Sequence, residues 1–281
     1  MNKNIESELK GKTVLVTGGA GSIGSHLVKT ILQYPVKSVR ILDIDEHALF
    51  KVGRSLQDSR LRLLLGTISD LERVEMACNN VDIIFHTAAI KNIEISEFNP
   101  IETIETNING TLNLIKATMK TKPKKFINVS TDKAAESTTL YGATKNLGEK
   151  LTTWAGNVLG PVKYASVRFG NVMETRGNVF EVWDEEMKLE KPLSITHPDM
   201  KRYFFSIDEA VRFVLKCLLI ANKGEVFIPK MKSYKITELA KKVSKKHKII
   251  GLRPGEKMME VLLTDSEKEK AIEKNDMWII K

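Results

Sequence analysis

Thr13-Val14-Leu15-Val16-Thr17 runs directly into Gly18-Gly19-Ala20-Gly21-Ser22-Ile23-Gly24, and the reading of this stretch decides the fold. The β-branched run reads as a short buried strand. The segment from Ile23 to Tyr34, which stops before Pro35, reads as a helix. Between them Gly18, Gly21 and Gly24 give the spacing GxxGxxG. Glycines there permit a tight turn, close approach of backbone to a pyrophosphate and close helix–strand packing, and a helix N-terminus favours negative charge. A glycine triplet alone could be a structural turn; the strand–loop–helix setting favours dinucleotide binding, with Gly18, Gly21, Ser22, Ile23 and Gly24 as candidate contacts.

Outward from this loop, β-rich runs alternate with helix-length segments. Strands are expected at Ser38 to Leu42, Leu61 to Leu65, Val81 to His86, Lys125 to Val129 and Lys163 to Arg168, with a helix from about Glu46 to Gln57. That alternation implies an α/β fold of Rossmann type, a doubly wound parallel sheet with helices on both faces. Asp43, closing the second strand, is placed to accept hydrogen bonds from ribose hydroxyls and to repel a 2′-phosphate. It favours NAD, with NADP as the alternative, and a helix-start cap is the competing reading. Beyond Gly170 the elements shorten and prolines punctuate them, with helices expected near Ile207 to Ala221 and Thr237 to Lys246. The expected organisation is a dinucleotide-binding domain over 1–170 with a later contribution from 203–230. Residues 171–202 and 231–281 then form a small C-terminal substrate-binding region.

The strand ending at Val129 continues as Ser130-Thr131-Asp132-Lys133, followed by Tyr141-Gly142-Ala143-Thr144-Lys145. On a helix the YxxxK spacing puts Tyr141 and Lys145 on one face, where the cation would lower the phenol's pKa and make it a usable base. Asp132 and Lys133 add an acid and a base at the C-terminal end of a parallel strand, where open α/β sheets bind ligands. A surface ion pair is the competing reading; the position argues for chemistry beyond hydride transfer.

Composition excludes several classes. Hydrophobic residues are 42% and charged residues 28%, and no apolar run approaches the length of a membrane span. The start, Met1 to Glu8, is too polar for a signal peptide, so a cytoplasmic protein without a membrane partner is expected. Cys78 and Cys217 lack metal-ligand spacing and read as reduced packing residues, so no metal is expected. The net charge of +9 suits an anionic substrate; runs such as Lys241-Lys242 lack interleaved aromatics and give no reason to expect nucleic acid.

The segments Val129 to Ala135 and Leu140 to Lys145 resemble the polysaccharide-biosynthesis branch of the extended short-chain dehydrogenases. The resemblance is strongest to inverting UDP-N-acetylglucosamine 4,6-dehydratases. Supporting stretches span the chain, among them His86 to Lys91, Thr106 to Gly110, Arg168 to Val172, Thr196 to Arg202 and Ile249 to Lys257. The resemblance implies that Tyr141 takes the sugar O4 proton as hydride leaves C4, with Lys145 and Thr131 assisting. Lys133 would remove the C5 proton and Asp132 protonate the departing C6 hydroxyl, after which hydride returns to C6. It also puts Ile68, Ala88, Ala89, Lys91 and Asn107 beside the cofactor. Lys91, Asn171, Arg176, Arg202, Arg253 and Glu256 would face a UDP-sugar, and assembly as a homo-oligomer is implied.

Two departures from the family pattern stand out. Glu136-Ser137-Thr138-Thr139 replaces a usual Asn-Pro turn, and Thr67 stands where many relatives carry an aspartate. A UDP-hexose 4-epimerase is the nearest alternative, since it needs Tyr141 and Lys145 but no base for C5. A non-catalytic dinucleotide-binding protein is the rival from another class; such proteins usually lose the tyrosine or lysine.

Overall fold

Strands Thr13–Thr17, Ile83–His86, Lys125–Thr131 and Lys163–Phe169 are almost wholly buried, which explains their continuous apolar runs. The computed structural model describes residues 2–281. These residues form a nine-stranded sheet in the order 272–273, 277–280, 225–229, 163–169, 125–131, 83–86, 13–17, 38–43, 61–65. Every pairing from 225–229 to 61–65 is parallel, and the two short C-terminal strands add antiparallel. The expected doubly wound fold is therefore present.

Helices cover both faces. One core cluster joins Val14, Val16 and Ile127 to Leu27 and Ile31 on one side helix and Val214 and Leu218 on another. The opposite cluster joins Leu15, Ile84 and Phe126 to Val74, Leu114 and Ala155. The alternate residues of one strand thus feed two cores, as the period of two requires. Local signals set the helix starts. Ser206 and Glu209 form a reciprocal capping box, and Asp45 and Asp70 accept from backbone amides three residues on. Both cysteines are unpaired and buried, and burial pushes the Cys78 thiol up to about 12.

The elements outside the expected pattern include one near each end of the chain. Asn2–Leu9 is a helix whose Ile5 and Leu9 pack into the first cluster. Met277–Ile280 returns to the main sheet beside Glu225–Pro229, so the end of the chain is not confined to the substrate-side region. Of that region, Lys201–Phe205 pairs with Asn171–Val172 and Ser233–Lys235 in a separate small sheet.

Strand 13–17 has 38–43 on one side and 83–86 on the other, so the connections leaving its neighbours diverge at its C-terminal end. This is the topological switch point, and a cleft of about 930 Å³ opens there.

Candidate active site

The glycine loop forms one wall of the cleft. Gly18 has φ +64°, and a Cβ there would come within 2.6 Å of the Ala88 backbone. A Cβ at Gly24 would overlap the Gly18 carbonyl oxygen, so neither position accepts a side chain without movement. Asp43 holds this loop: Oδ2 accepts from the Ala20 amide at 2.9 Å and Oδ1 from the Asp45 amide at 3.1 Å. Ile68, Ala88, Ala89 and Lys91 also line the cleft.

Asn107 does not. It lies 3% exposed within a π-helical turn, Glu105–Asn109. Its side chain accepts from the Ile90 amide at 2.8 Å and donates to the Ile90 carbonyl and the Thr144 hydroxyl. The expected cofactor contact is instead a brace between the 88–91 loop and the helix carrying Tyr141.

That helix, Leu140–Val158, starts at Thr139, whose hydroxyl accepts from the Gly142 amide at 3.1 Å. It delivers Tyr141 and Lys145 to the cleft opposite Thr131 and Lys133. Lys145 Nζ donates to the Val129 carbonyl at 2.6 Å, and burial lowers its pKa to about 8, with Glu149 opposing. The expected effect of Lys145 on the phenol is not what the geometry gives. Burial raises the Tyr141 pKa, and the cation that pulls it back is Lys133, helped by the Thr131 hydroxyl.

Lys133 Nζ donates to Asp132 Oδ1 at 3.0 Å, and Thr131 Oγ1 donates to the same oxygen. Asp132 is 1% exposed and does not line the cleft; its Oδ2 has no hydrogen-bond partner. Ser130 Oγ is likewise buried without a partner at the cleft wall. Unsatisfied buried polar atoms are uncommon in folded proteins. Glu260, which no sequence motif flagged, lines the cleft with Oε1 3.7 Å from Lys133 Nζ.

At the other end Asn171, Arg176, Arg202, Arg253 and Glu256 all line the cleft, and their polar groups already have partners. Arg202 pairs with Glu256 at 3.4 Å and Arg253 with Glu94 at 3.3 Å. Asn171 Nδ2 donates to the Tyr203 carbonyl. Arg176 reaches back to the glycine loop: Nη2 donates to the Ala20 carbonyl at 2.8 Å and its amide to Ser22 Oγ at 3.0 Å. Lys91 Nζ donates to the Arg176 carbonyl, and burial lowers its pKa. The Glu136–Thr139 departure also has a place in the site. Thr138 Oγ1 donates to the Gly255 carbonyl at 2.8 Å, and Lys257 Nζ donates to Glu136.

A switch-point cleft with a glycine loop on one wall and a Tyr–Lys helix on the other defines an extended short-chain dehydrogenase. The chain belongs to the polysaccharide biosynthesis protein family, whose pattern matches residues 14–281. It is 42% identical to an uncharacterized membrane protein of Methanocaldococcus jannaschii, over all of this chain and 89% of the relative. It is 38% identical to the inverting UDP-N-acetylglucosamine 4,6-dehydratase of Campylobacter jejuni, over 92% of this chain and 79% of that one. A UDP-glucose 4-epimerase of Rickettsia canadensis is 33% identical over 96% and 82%. Among solved structures, Pen from Bacillus thuringiensis superposes with a TM-score of 0.93 at 37% identity, covering 97% of this chain and 88% of that chain. The family is one of nucleotide-sugar dehydratases and epimerases. No helix among the described residues is long and apolar enough to cross a membrane.

Proposed function

We propose that the protein is an inverting UDP-N-acetylglucosamine 4,6-dehydratase, a lyase, with NAD as its nicotinamide cofactor. The observation that carries the reading is Lys133, whose ammonium stands in the cleft 3.0 Å from Asp132 and acts on the Tyr141 phenol. A 4-epimerase needs the tyrosine and the cofactor but has no use for a base at C5.

The residues present fit a dinucleotide. The glycines leave room for backbone contacts, and the N-terminus of helix Ser22–Ile31, opening on the cleft beside them, would favour a pyrophosphate's charge. Asp43 beside the ribose position disfavours a 2′-phosphate. Held by the glycine loop and Lys145, a nicotinamide would supply the hydride acceptor and donor for the sugar, at C4 and then at C6. Tyr141 accepts the O4 proton, with Lys133 and Thr131 stabilising the phenolate. The resulting 4-keto group acidifies C5, and Lys133 as a neutral amine removes that proton. Asp132 is the proton source for the leaving C6 hydroxyl: it does not itself line the cleft, and its hydrogen bond to Lys133, which does, is the path the proton would take. Arg253 is the candidate diphosphate ligand, since a guanidinium binds phosphate oxygens bidentately. On this reading the enzyme works in the cytoplasm, and exposed apolar side chains such as Phe98 and Ile101 support a homo-oligomer.

A UDP-hexose 4-epimerase is the second reading, favoured by the likeness to the Rickettsia enzyme. Incubation with UDP-N-acetylglucosamine in deuterated water, followed by proton NMR, separates them. A C6 methyl group with deuterium at an inverted C5 supports the dehydratase. Interconversion with UDP-N-acetylgalactosamine, without deuterium at C5, overturns it.

A further inference from the structure

Lys133 lies between two carboxylates, one of which the proposed mechanism leaves unused. Glu260 is 5% exposed, and its only charged partner among the described residues is Lys133. Its position is fixed from both sides. Met259 bridges to Lys201, whose amide donates to the Met258 carbonyl at 2.9 Å, and the Leu262 carbonyl accepts from buried Arg168 at 3.0 Å. A buried carboxylate held this way, with its charge aimed at one ammonium, is costly unless the pairing is used.

We propose that Glu260 is a positioning residue, the counter-ion that sets the basicity of Lys133 in removal of the C5 proton. This deepens the dehydratase reading and rests on it. The groups facing the ammonium are Asp132, Glu260 and Tyr141. Burial works against the ammonium, and Asp132 and Glu260 outweigh it, so the Lys133 pKa lies above its ordinary value. In the C5 step the neutral amine gains a proton and becomes the ammonium, and the C5–H electron pair stays on the sugar as the enolate. Glu260 stabilises the charge that forms on nitrogen and keeps it beside Asp132. The proton balance between Lys133 and Asp132 needs no further reactant.

Two measurements test this on the full-length protein with Glu260→Gln and Glu260→Asp. The first is independent of the reaction: carbamoylation by cyanate, whose isocyanic acid is attacked only by neutral amines, read at Lys133 by peptide mass spectrometry across pH. Glu260→Gln should move the Lys133 profile down by about 1 to 3 pH units, the range for loss of a neighbouring opposite charge. Lys145 should label as before, and Glu260→Asp should fall between. The second is the acid limb of kcat/KM for deuterium incorporation at C5. It should shift to lower pH in Glu260→Gln while the plateau falls roughly tenfold, as a weaker base requires. An unmoved Lys133 profile, or an equal change at Lys145, overturns the inference. Failure of the dehydratase reading looks different, because the wild-type protein then forms no C6 methyl group and the cyanate profile alone decides the role of Glu260.

Discussion

Lys145 Nζ donates to the Val129 carbonyl at 2.6 Å, which ties the Tyr141 helix to the end of the strand that closes at Thr131, just before the turn holding Asp132 and Lys133. The same burial that makes this contact lowers the Lys145 pKa to about 8. Between about pH 8 and the ordinary lysine value, the unfolded chain therefore binds more protons than the folded one, so stability gains with rising pH in that window. Lys145→Met should abolish this gain, seen in urea midpoints measured from pH 7 to 10. It should also lower turnover by about 100-fold or more, because the helix that carries Tyr141 loses its tie to the Val129 carbonyl and with it the alignment of the phenol.

His86 lies at the end of a central strand, hydrogen-bonded on one nitrogen to Thr17 and on the other to Thr111. Burial, with help from Lys145, lowers its pKa to about 3. Below the ordinary histidine value the unfolded chain takes a proton that the folded one refuses. Stability is then lost as pH falls from about 6.5 toward 3. Between pH 6.5 and 5 this amounts to about 2 kcal/mol. A His86→Gln protein should lack that slope, and an equal acid sensitivity in both proteins would refute the assignment.

Asp43 has an amide on each carboxylate oxygen and lines the cleft beside the glycine loop. Asp43→Asn keeps an acceptor for Ala20 but removes the negative charge. Titration calorimetry should show the ratio of NAD to NADP affinity falling by about tenfold, the size of a lost charge repulsion of about 1.4 kcal/mol. Unchanged preference would place selectivity elsewhere.

Arg168 is buried between Glu149 at 2.6 Å and Glu267 at 2.8 Å, and it also donates to the Leu262 carbonyl. Burial opposes its charge, but the two carboxylates hold it firmly protonated. Arg168→Met leaves both acids without their cation and should cost about 3 to 5 kcal/mol in chemical denaturation. Hydrogen exchange should rise first in residues 262–268, which the guanidinium pins to the sheet.

The parts of this architecture that announce themselves do so through local chemistry. A strand-to-helix turn so rich in glycine has few uses besides cradling a phosphate, and the capping box at Ser206 and Glu209 marks its helix in four residues. Elements stabilised only by distant pairing left no local mark. The helix Asn2–Leu9 shows just Ile5 and Leu9 at helical spacing, and Met277–Ile280 finds its place only against Glu225–Pro229. In the candidate site, residue types and helix faces were readable, whereas electrostatic partners were not. Helical spacing puts Tyr141 and Lys145 on one side, yet Lys133 supplies the field on the phenol, and Asn107 turns away to brace Ile90. Glu260 lies in a segment with no motif and meets Lys133 only through the fold.

Thr139 connects two ends of the cleft that sequence keeps far apart. Its hydroxyl caps the helix that carries Tyr141, its methyl group fills the space beside Gly255, and Thr138 holds the Gly255 carbonyl. Gly255 in turn lies within the Arg253–Glu256 turn. The Tyr141 end and the Arg253 end of the cleft are thereby tied to one another. On the proposed reading, a diphosphate that drew Arg253 off Glu94 would also load the first turn of the helix that carries Tyr141, so that binding at one end would bear on alignment at the other.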